Sequence, residues 1–218
     1  AANCEQDFTF VDHTLRHGDS LVGLDREQVL GFSWHRSPPV TVIAELINKA
    51  PHSPATRQSL RLIADLCIGA FFAHTTIKAR NLERDRRLVL VTRWLAGETQ
   101  LKPALTRLAA TIRERHAPLH WWLEFPGIST GMDAMVGNPP FGGNTAIAAL
   151  GGPPYQAWLK HAFEGERGVR GNCDISAFFL RRAAKYIGQD GTLGFVATNT
   201  IAQGATRAIG LKHLLAQA

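Results

Sequence analysis

The sequence predicts an α/β protein whose parallel sheet is interrupted by a helical insertion. The first observation is a strand, a helix and a strand in succession over residues 133–137, 174–187 and 192–198. That spacing is typical of a right-handed crossover on a parallel sheet. The second observation is a central region, residues 41–120, in which apolar residues recur at helical spacing. With 218 residues, 45% of them hydrophobic and 19% charged, the chain has globular composition and can bury a core.

The early part of the core, residues 1–40, begins with a strand-like segment at residues 8–11 and then enters the turn-prone Gly18-Asp19-Ser20. Its first residues are polar and lack the basic start and apolar stretch of a secretory signal. No stretch of the chain reaches the roughly 18–20 apolar residues of a membrane span. Three widely spaced cysteines fit neither a disulfide framework nor a zinc site, so a reducing cytoplasm is favoured.

The insertion, residues 41–120, is predicted to be helical and basic. Helices are expected over residues 55–73, 80–96 and 101–115, the last with Pro103 near its start. The region holds 13 basic and 6 acidic side chains. This surplus suits a polyanion partner, with a solvated helix face as the alternative. Its densest positive stretch is the one predicted to contact nucleic-acid phosphates: Arg80, Arg84, Arg86 and Arg87.

The late part of the core, residues 121–218, contains both strands of the predicted crossover. The helix between them has Asp174 as a capping residue and Gly188 at its end. A turn at residues 189–191 leads into the second strand. The crossover therefore belongs to this last third of the chain.

The most informative tetrapeptide follows the first of these strands and reads Asn138-Pro139-Pro140-Phe141. In open α/β sheets, ligands bind beyond the carboxyl ends of the strands. Two prolines stiffen the backbone and leave it with carbonyl acceptors only. The Asn138 side-chain oxygen and a neighbouring carbonyl can hold the two hydrogens of an exocyclic amine, and Phe141 can stack on a planar ring. A plain strand-terminating turn is the alternative interpretation of the same four residues.

The wider context of the tetrapeptide resembles the N6-adenine DNA methylases. The similarity is greatest to the large type IIG restriction–modification methylases and the phage-exclusion (BREX-like) methylases, in which a Trp-Pro-Leu-Glu-Phe-Pro-like segment precedes an Asn-Pro-Pro-Phe strand end. Here Trp121-Trp122-Leu123-Glu124-Phe125-Pro126 occupies that place. Three further stretches agree in order, at residues 15–23, 174–180 and 191–204.

This resemblance implies a partial class I S-adenosylmethionine-dependent (Rossmann-like) methyltransferase sheet with a helical insertion. It further implies transfer of a methyl group to adenine N6 of a flipped-out base in double-stranded DNA, within a restriction–modification or phage-defence system. Carried over residue by residue, Asn138 and the carbonyl of Pro139, stiffened by Pro140, hold the amine, and Phe141 stacks on the base. Asp19 approaches the adenine of the cofactor.

Parts of the family pattern are not matched by this chain. The Gly-rich cofactor loop after the first strand and the target-recognition region have no counterpart among the stretches that match. We therefore expect an internal fragment of a larger methylase, which alone neither binds S-adenosylmethionine tightly nor methylates DNA.

Two alternative functions are compatible with the same residues: a class I methyltransferase of RNA bases or protein glutamine, and a non-catalytic nucleic-acid-binding fragment. Gly18-Asp19-Ser20-Leu21 matches the nucleophile block of GDSL esterases, but the chain has no Asp-x-x-His to supply the base. No cysteine follows a proline, as cytosine-C5 methyl transfer requires, and no Glu-x-Lys or Asp-x-Lys nuclease element occurs. No His-x-His or His-Glu-x-x-His pattern occurs either, so a metal site is not expected.

Overall fold

The structure, a computed structural model, describes residues 15–50, 53–128, 131–163 and 173–215. The strand-like segment predicted at residues 8–11 lies outside these ranges. The described helices, in chain order, are α1 (Arg26–Leu30), α2 (Thr41–Lys49), α3 (Pro54–Ala73), α4 (Ile77–Leu95), α5 (Lys102–His116), α6 (Trp121–Glu124), α7 (Asn144–Phe163), α8 (Ser176–Ala184), α9 (Gly204–Ile209) and α10 (Leu211–Leu215). The strands within the described ranges are β1 (Met132–Gly137) and β2 (Ile187–Phe195), and short 3₁₀ turns span Thr99–Leu101 and Asn199–Ala202.

The three long helices of the insertion confirm the predictions made from apolar spacing. Helix α3 begins where the Ser53 side chain accepts a hydrogen bond from the backbone N–H of Thr56, with proline in the first turn. Helix α4 is capped by Thr76 in the same way. Helix α5 also carries a proline in its first turn, as Pro103 predicts.

Strands β1 and β2 pair in parallel, which confirms the pairing expected of a crossover. Their register aligns Ala134 with Thr192 and Gly137 with Phe195. This two-stranded parallel sheet within a helix-rich chain is compatible with a methyltransferase-like α/β fold.

The boundary between α8 and β2 differs from the sequence prediction. Helix α8 ends at Ala184, and Ile187, expected to be helical, already belongs to β2. Met132 pairs with Ile187 but Ala134 pairs with Thr192, so β2 carries three more residues than β1 over this stretch. The turn predicted at residues 189–191 is thus accommodated inside the strand as an irregularity of the ladder.

One continuous hydrophobic core joins the early part, the insertion and the late part of the chain. The ring of Phe71 on α3 makes edge contacts with Trp34 at 5.5 Å and with Trp158 of α7 at 5.2 Å between centroids. The insertion therefore packs into the same core as both flanks. The domain boundaries at residues 40 and 120 stay a prediction.

None of the helices in the described ranges combines the length and the apolar character needed to cross a membrane.

Candidate active site

The Asn-Pro-Pro-Phe segment (residues 138–141) lies directly beyond the carboxyl end of β1. The pairing of β1 with β2 ends there, with the backbone N–H of Val196 donating to the carbonyl of Gly137 at 3.0 Å. Asn138 and Pro140 are exposed, whereas Pro139 is buried. Phe141 is 44% exposed, so its ring is not part of the core. The segment thus offers an amide and an aromatic ring at the edge where α/β sheets bind ligands.

Gly142 anchors the end of this segment. Its φ of +140° lies in a region that residues with a side chain rarely adopt, and a Cβ there would lie 2.4 Å from the Cβ of Ala146. Its N–H donates to a carboxylate oxygen of Asp174 at 3.1 Å, and its carbonyl accepts from the N–H of Ile175 at 2.9 Å. Two hydrogen bonds therefore fasten the segment to the start of α8.

Asp174 is the centre of that fastening. Its second carboxylate oxygen accepts from the backbone N–H of Ser176 at 3.0 Å and from the Ser176 hydroxyl at 2.7 Å. Its own N–H donates to the hydroxyl oxygen of Thr206 at 3.1 Å. Asp174 lies one residue before the N-cap position, yet it satisfies an N–H of the first turn. One carboxylate therefore connects the Asn-Pro-Pro-Phe segment with α8.

Asp19 and Pro140, 121 positions apart in the sequence, line one cavity of about 510 Å³, which we call the site cavity. Its apolar wall includes Leu150, Ile175 and Phe179. Volumes of this size are typical of small-molecule sites, in which a few polar groups orient a ligand against apolar walls. The fold thus brings the early core part and the Asn-Pro-Pro-Phe segment together.

The Asp19 carboxylate already has two partners. One oxygen accepts from the backbone N–H of Leu21 at 2.8 Å, and the buried Tyr155 hydroxyl donates to the carboxylate. Burial, followed by the charge of Asp19, raises the pKa of Tyr155 above its usual range, so this hydroxyl keeps its proton. A carboxylate has about four acceptor positions, so Asp19 retains capacity for a further donor.

The loop that carries Asp19 is held by side chains from the late core part, of which Trp158 and Arg182 are buried. The indole N–H of Trp121 donates to the carbonyl of Ser20 at 3.0 Å. The carbonyl of Leu21 accepts from Trp158 at 2.8 Å and from Arg182 at 3.0 Å. Sequence reasoning missed Trp158 and Arg182. The available signal was general: buried indole and guanidinium groups require acceptors.

His116 forms part of the wall of the site cavity. Its ring lies 4.3 Å from that of Phe72, centroid to centroid. Burial lowers the pKa of His116, an effect that the charge of Asp19 opposes and that of Arg115 reinforces. A neutral imidazole is therefore favoured in this wall.

The arginine cluster predicted to contact phosphates is largely engaged within the protein. Arg80 is buried, stacks 3.8 Å above the ring of Phe71, and donates to the carbonyl of His74 at 2.8 Å. Arg87 is buried as well and donates to the carbonyl of Leu66 at 3.0 Å.

The other two members of the cluster have carboxylate partners. Arg84 pairs with Asp85, and Arg86 pairs with Glu83, which also binds Arg87. Helical spacing places half of the cluster on the core side of α4, which the sequence alone did not reveal. Phosphate contact by the cluster stays a prediction. The burial of Arg80 and Arg87 argues against contact between these two side chains and phosphates.

Within the described ranges, no three His, Cys, Asp or Glu side chains are grouped so that they could hold a metal ion.

Residues 65–216 match the sequence profile of the Eco57I restriction-modification methylase family, which covers more than half of the chain. The matched range includes the Asn-Pro-Pro-Phe segment and α8, whereas Asp19 precedes it. The chain matches no curated protein and no solved structure.

Proposed function

The chain belongs to the Eco57I restriction-modification methylase family, and from this premise we propose that it forms the amine-binding part of a DNA methyltransferase that acts on adenine N6. The observation that carries the proposal is the position of the Asn-Pro-Pro-Phe segment, which is fastened at a strand end and whose Pro140 lines the same cavity as Asp19. We further propose that the protein is of the type IIG or phage-exclusion kind and serves a restriction–modification or phage-defence system.

The amine would be held by two acceptors. Asn138 is exposed at the strand end, and Pro139 and Pro140 restrict the backbone that follows it. Its side-chain oxygen and the carbonyl of Pro139 would accept the two N–H bonds of adenine N6. Two acceptors placed in this way would direct the nitrogen lone pair away from both of them and leave it available to the methyl group that the cofactor supplies. Catalysis would then come from positioning and fixed dipoles rather than from a covalent intermediate.

The half-exposed ring of Phe141 would stack on the adenine. An enzyme cannot reach this amine inside a duplex, so the base must be flipped out of the stack. An exposed aromatic ring beside the amine acceptors provides a surface for the flipped base.

The residues of the site cavity fit the adenosine part of S-adenosylmethionine. Asp19 retains acceptor capacity for an exocyclic amine, and the apolar wall suits a planar ring. When bound, the cofactor supplies an electrophilic sulfonium methyl group. Asp19 would orient its adenine, while Tyr155 and the N–H of Leu21 hold the Asp19 carboxylate in place.

The test is methyl-label transfer from S-adenosylmethionine to a duplex oligonucleotide by the complete protein that carries this chain. Asn138→Ala should lower turnover by about two orders of magnitude, as loss of an electrostatic partner of the reacting group does, and should leave cofactor binding nearly unchanged. Asn81→Ala, which changes an amide on α4 outside the site, is the matched control. Nucleoside analysis of the product should give N6-methyladenine.

Three outcomes would contradict the proposal. Wild-type turnover in Asn138→Ala would remove the methylase mechanism. Label in RNA or in a glutamine-containing peptide, with none in DNA, would place the activity in another branch of class I methyltransferases. DNA binding without any methyl transfer would favour a non-catalytic binding role.

A further inference from the structure

A second cavity adjoins the site cavity and is strongly basic. It has a volume of about 580 Å³ and shares His17 and Ala117 with the site cavity. We call it the arginine cleft after four side chains that line it: Arg16, Arg57, Arg61 and Arg113. The carboxylates in its lining are Asp65 and Glu124, which leaves an excess of two positive charges.

The two carboxylates lie at the base of the arginine cleft and hold its arginines. Glu124 pairs with Arg61 at 2.6 Å and with Arg16 at 3.4 Å. Asp65 pairs with Arg113 at 2.5 Å. The side chains of Arg16, Arg61 and Arg113 are 32%, 40% and 42% exposed, whereas those of Glu124 and Asp65 are 10% and 2% exposed. The positive groups therefore face the solvent, and the negative groups do not.

Asp65 is further held by His120, which is fully buried. One ring nitrogen of His120 accepts from the backbone N–H of Leu24 at 3.0 Å, so the other nitrogen carries the proton and donates to Asp65 at 3.1 Å. Asp65 thus keeps one oxygen for His120 and one for Arg113. This arrangement fixes the guanidinium of Arg113 before any ligand arrives.

Arg57 differs from the other three arginines. Within the ranges that the structure describes, no carboxylate lies within ion-pair distance of Arg57. A guanidinium has five N–H donors in a rigid fork that matches phosphate oxygens, and the bonds to Glu124 and Asp65 use a minority of the donors in this cleft. The cleft therefore presents preorganised donors to an anion with several oxygens.

We propose that the arginine cleft binds backbone phosphates of the DNA strand whose target base is flipped onto the Asn-Pro-Pro-Phe segment. The inference rests on the proposed function and adds the place where the strand is held. The shared boundary at His17 and Ala117 puts the phosphate donors next to the site cavity. Phosphate contacts position a nucleic acid without reading its sequence, so this cleft fixes the approach of the strand and not the choice of target.

The test measures binding of the full chain to a fluorescent duplex oligonucleotide over a range of salt concentrations, without cofactor. The variants are Arg57→Gln, and Arg57→Gln combined with Arg61→Gln. Each lost phosphate contact should reduce the slope of log affinity against log salt by about 0.9, so the double variant should lose about 1.8. Arg93→Gln, which removes a 53% exposed arginine of α4 that has a carboxylate partner and lies outside the predicted phosphate-binding cluster, is the matched control and should leave the slope unchanged.

An unchanged slope in the double variant, or an equal loss in Arg93→Gln, would overturn the proposal. Arg57→Gln breaks no ion pair among the described residues, so it keeps the test decisive if removal of Arg61 impairs folding. Neutral methylphosphonate linkages in the duplex should weaken wild-type binding and leave the double variant less affected. If the Arg57→Gln change weakened binding of duplex RNA more than binding of duplex DNA, the proposal that the cleft binds DNA would be contradicted.

The outcomes separate this inference from the proposed function. Slope changes that depend on Arg57, together with no methyl transfer by the complete protein, would refute the methylase mechanism alone. Normal methyl transfer, with an unchanged slope in the double variant, would refute the arginine cleft alone.

Discussion

At the scale of single residues, substitutions of Phe141 distinguish base stacking from packing in the core. Its ring is half exposed at the end of β1, so it is not enclosed in the core and part of it is accessible to a base. We expect Phe141→Ala to weaken stacking of the flipped base by about 1–3 kcal/mol, whereas Phe141→Tyr and Phe141→Trp keep a ring and should be tolerated. The measurements are methyl-transfer rate in the complete protein and the fluorescence of 2-aminopurine at the target position.

The control for Phe141→Ala is Leu82→Ala, which truncates an exposed apolar side chain on α4. It should change neither the rate nor the 2-aminopurine signal. If Phe141→Ala also changes neither, the stacking role is wrong.

Asp174 is expected to position the Asn-Pro-Pro-Phe segment without touching the substrate. Its carboxylate bonds the N–H of Gly142 and the N–H of Ser176. Asp174→Ala leaves both donors without this partner, which costs about 1–3 kcal/mol for each buried group. We expect lower turnover with little change in the KM for DNA, and partial rescue by Asp174→Asn, which keeps one acceptor oxygen.

The measurements for Asp174 are steady-state kinetics and urea unfolding. A purely structural role would lower stability without changing the turnover of the folded fraction. Wild-type turnover in Asp174→Ala, measured on folded protein, would therefore remove the positioning role.

At the scale of secondary-structure elements, helix α4 shows that two arginines one position apart differ in role. Arg87 is buried, paired with Glu83 at 2.7 Å and bonded to the carbonyl of Leu66, whereas Arg86 is mainly exposed. Arg87→Ala should cost about 1–3 kcal/mol of unfolding free energy, because Glu83 loses its buried partner and the carbonyl of Leu66 loses its donor. Arg86→Ala should stay within about 0.5 kcal/mol. Equal costs in urea unfolding would contradict the burial of Arg87.

The same helix shows what the sequence could and could not predict. The helices of the insertion begin and end close to the predicted positions, because apolar spacing, capping hydroxyls and first-turn prolines are local signals. The contacts that bury Arg80 and Arg87 are not local. Arg80 stacks on the ring of Phe71 on α3, and Arg87 donates to the carbonyl of Leu66, which also lies on α3. A count of charges therefore overestimated the basic surface of α4.

Strand β2 illustrates a second limit of local signals. The turn residues at 189–191 correctly indicated an interruption, but the continuation of the strand on both sides depends on pairing with β1. Gly188 and Gly191 lie close to the backbone of Gly131 and Met132, which allows the ladder to resume around the extra residues. Such register information comes from the partner strand.

At the scale of the whole molecule, the candidate site depends on contacts between distant parts of the chain. The Asn-Pro-Pro-Phe segment was predicted to lie at a strand end, and it does. The proximity of Asp19 to Pro140 could be expected only from the resemblance, since 121 positions separate the two. The hydrogen bonds that hold the Asp19 loop, from Trp121, Trp158 and Arg182, required the folded structure.

The last prediction concerns the pH dependence of the stability of the full chain. Burial lowers the pKa values of His116 and His161 in the folded state. The unfolded chain therefore binds more protons than the folded chain as the pH falls through about 6.5, and the free energy of unfolding decreases. The stabilisation is complete above the unfolded pKa and is lost as the pH falls toward the lower folded values. Urea unfolding should show lower stability at about pH 5.5 than at about pH 7.5.

The variant His116→Gln tests how much His116 contributes to the pH dependence of stability. It removes packing against Phe72 at every pH, so the relevant quantity is the difference in stability between the two pH values rather than either value alone. That difference should be smaller in His116→Gln than in the wild-type chain. The pKa of Asp25 is also lowered: burial would raise it, but Lys185 and the backbone N–H of Gln28 outweigh burial, so this carboxyl stays ionised throughout the window. Because His161 keeps its own lowered pKa, part of the pH dependence should persist in His116→Gln, and an unchanged difference would show that protonation of His116 is not opposed by the fold.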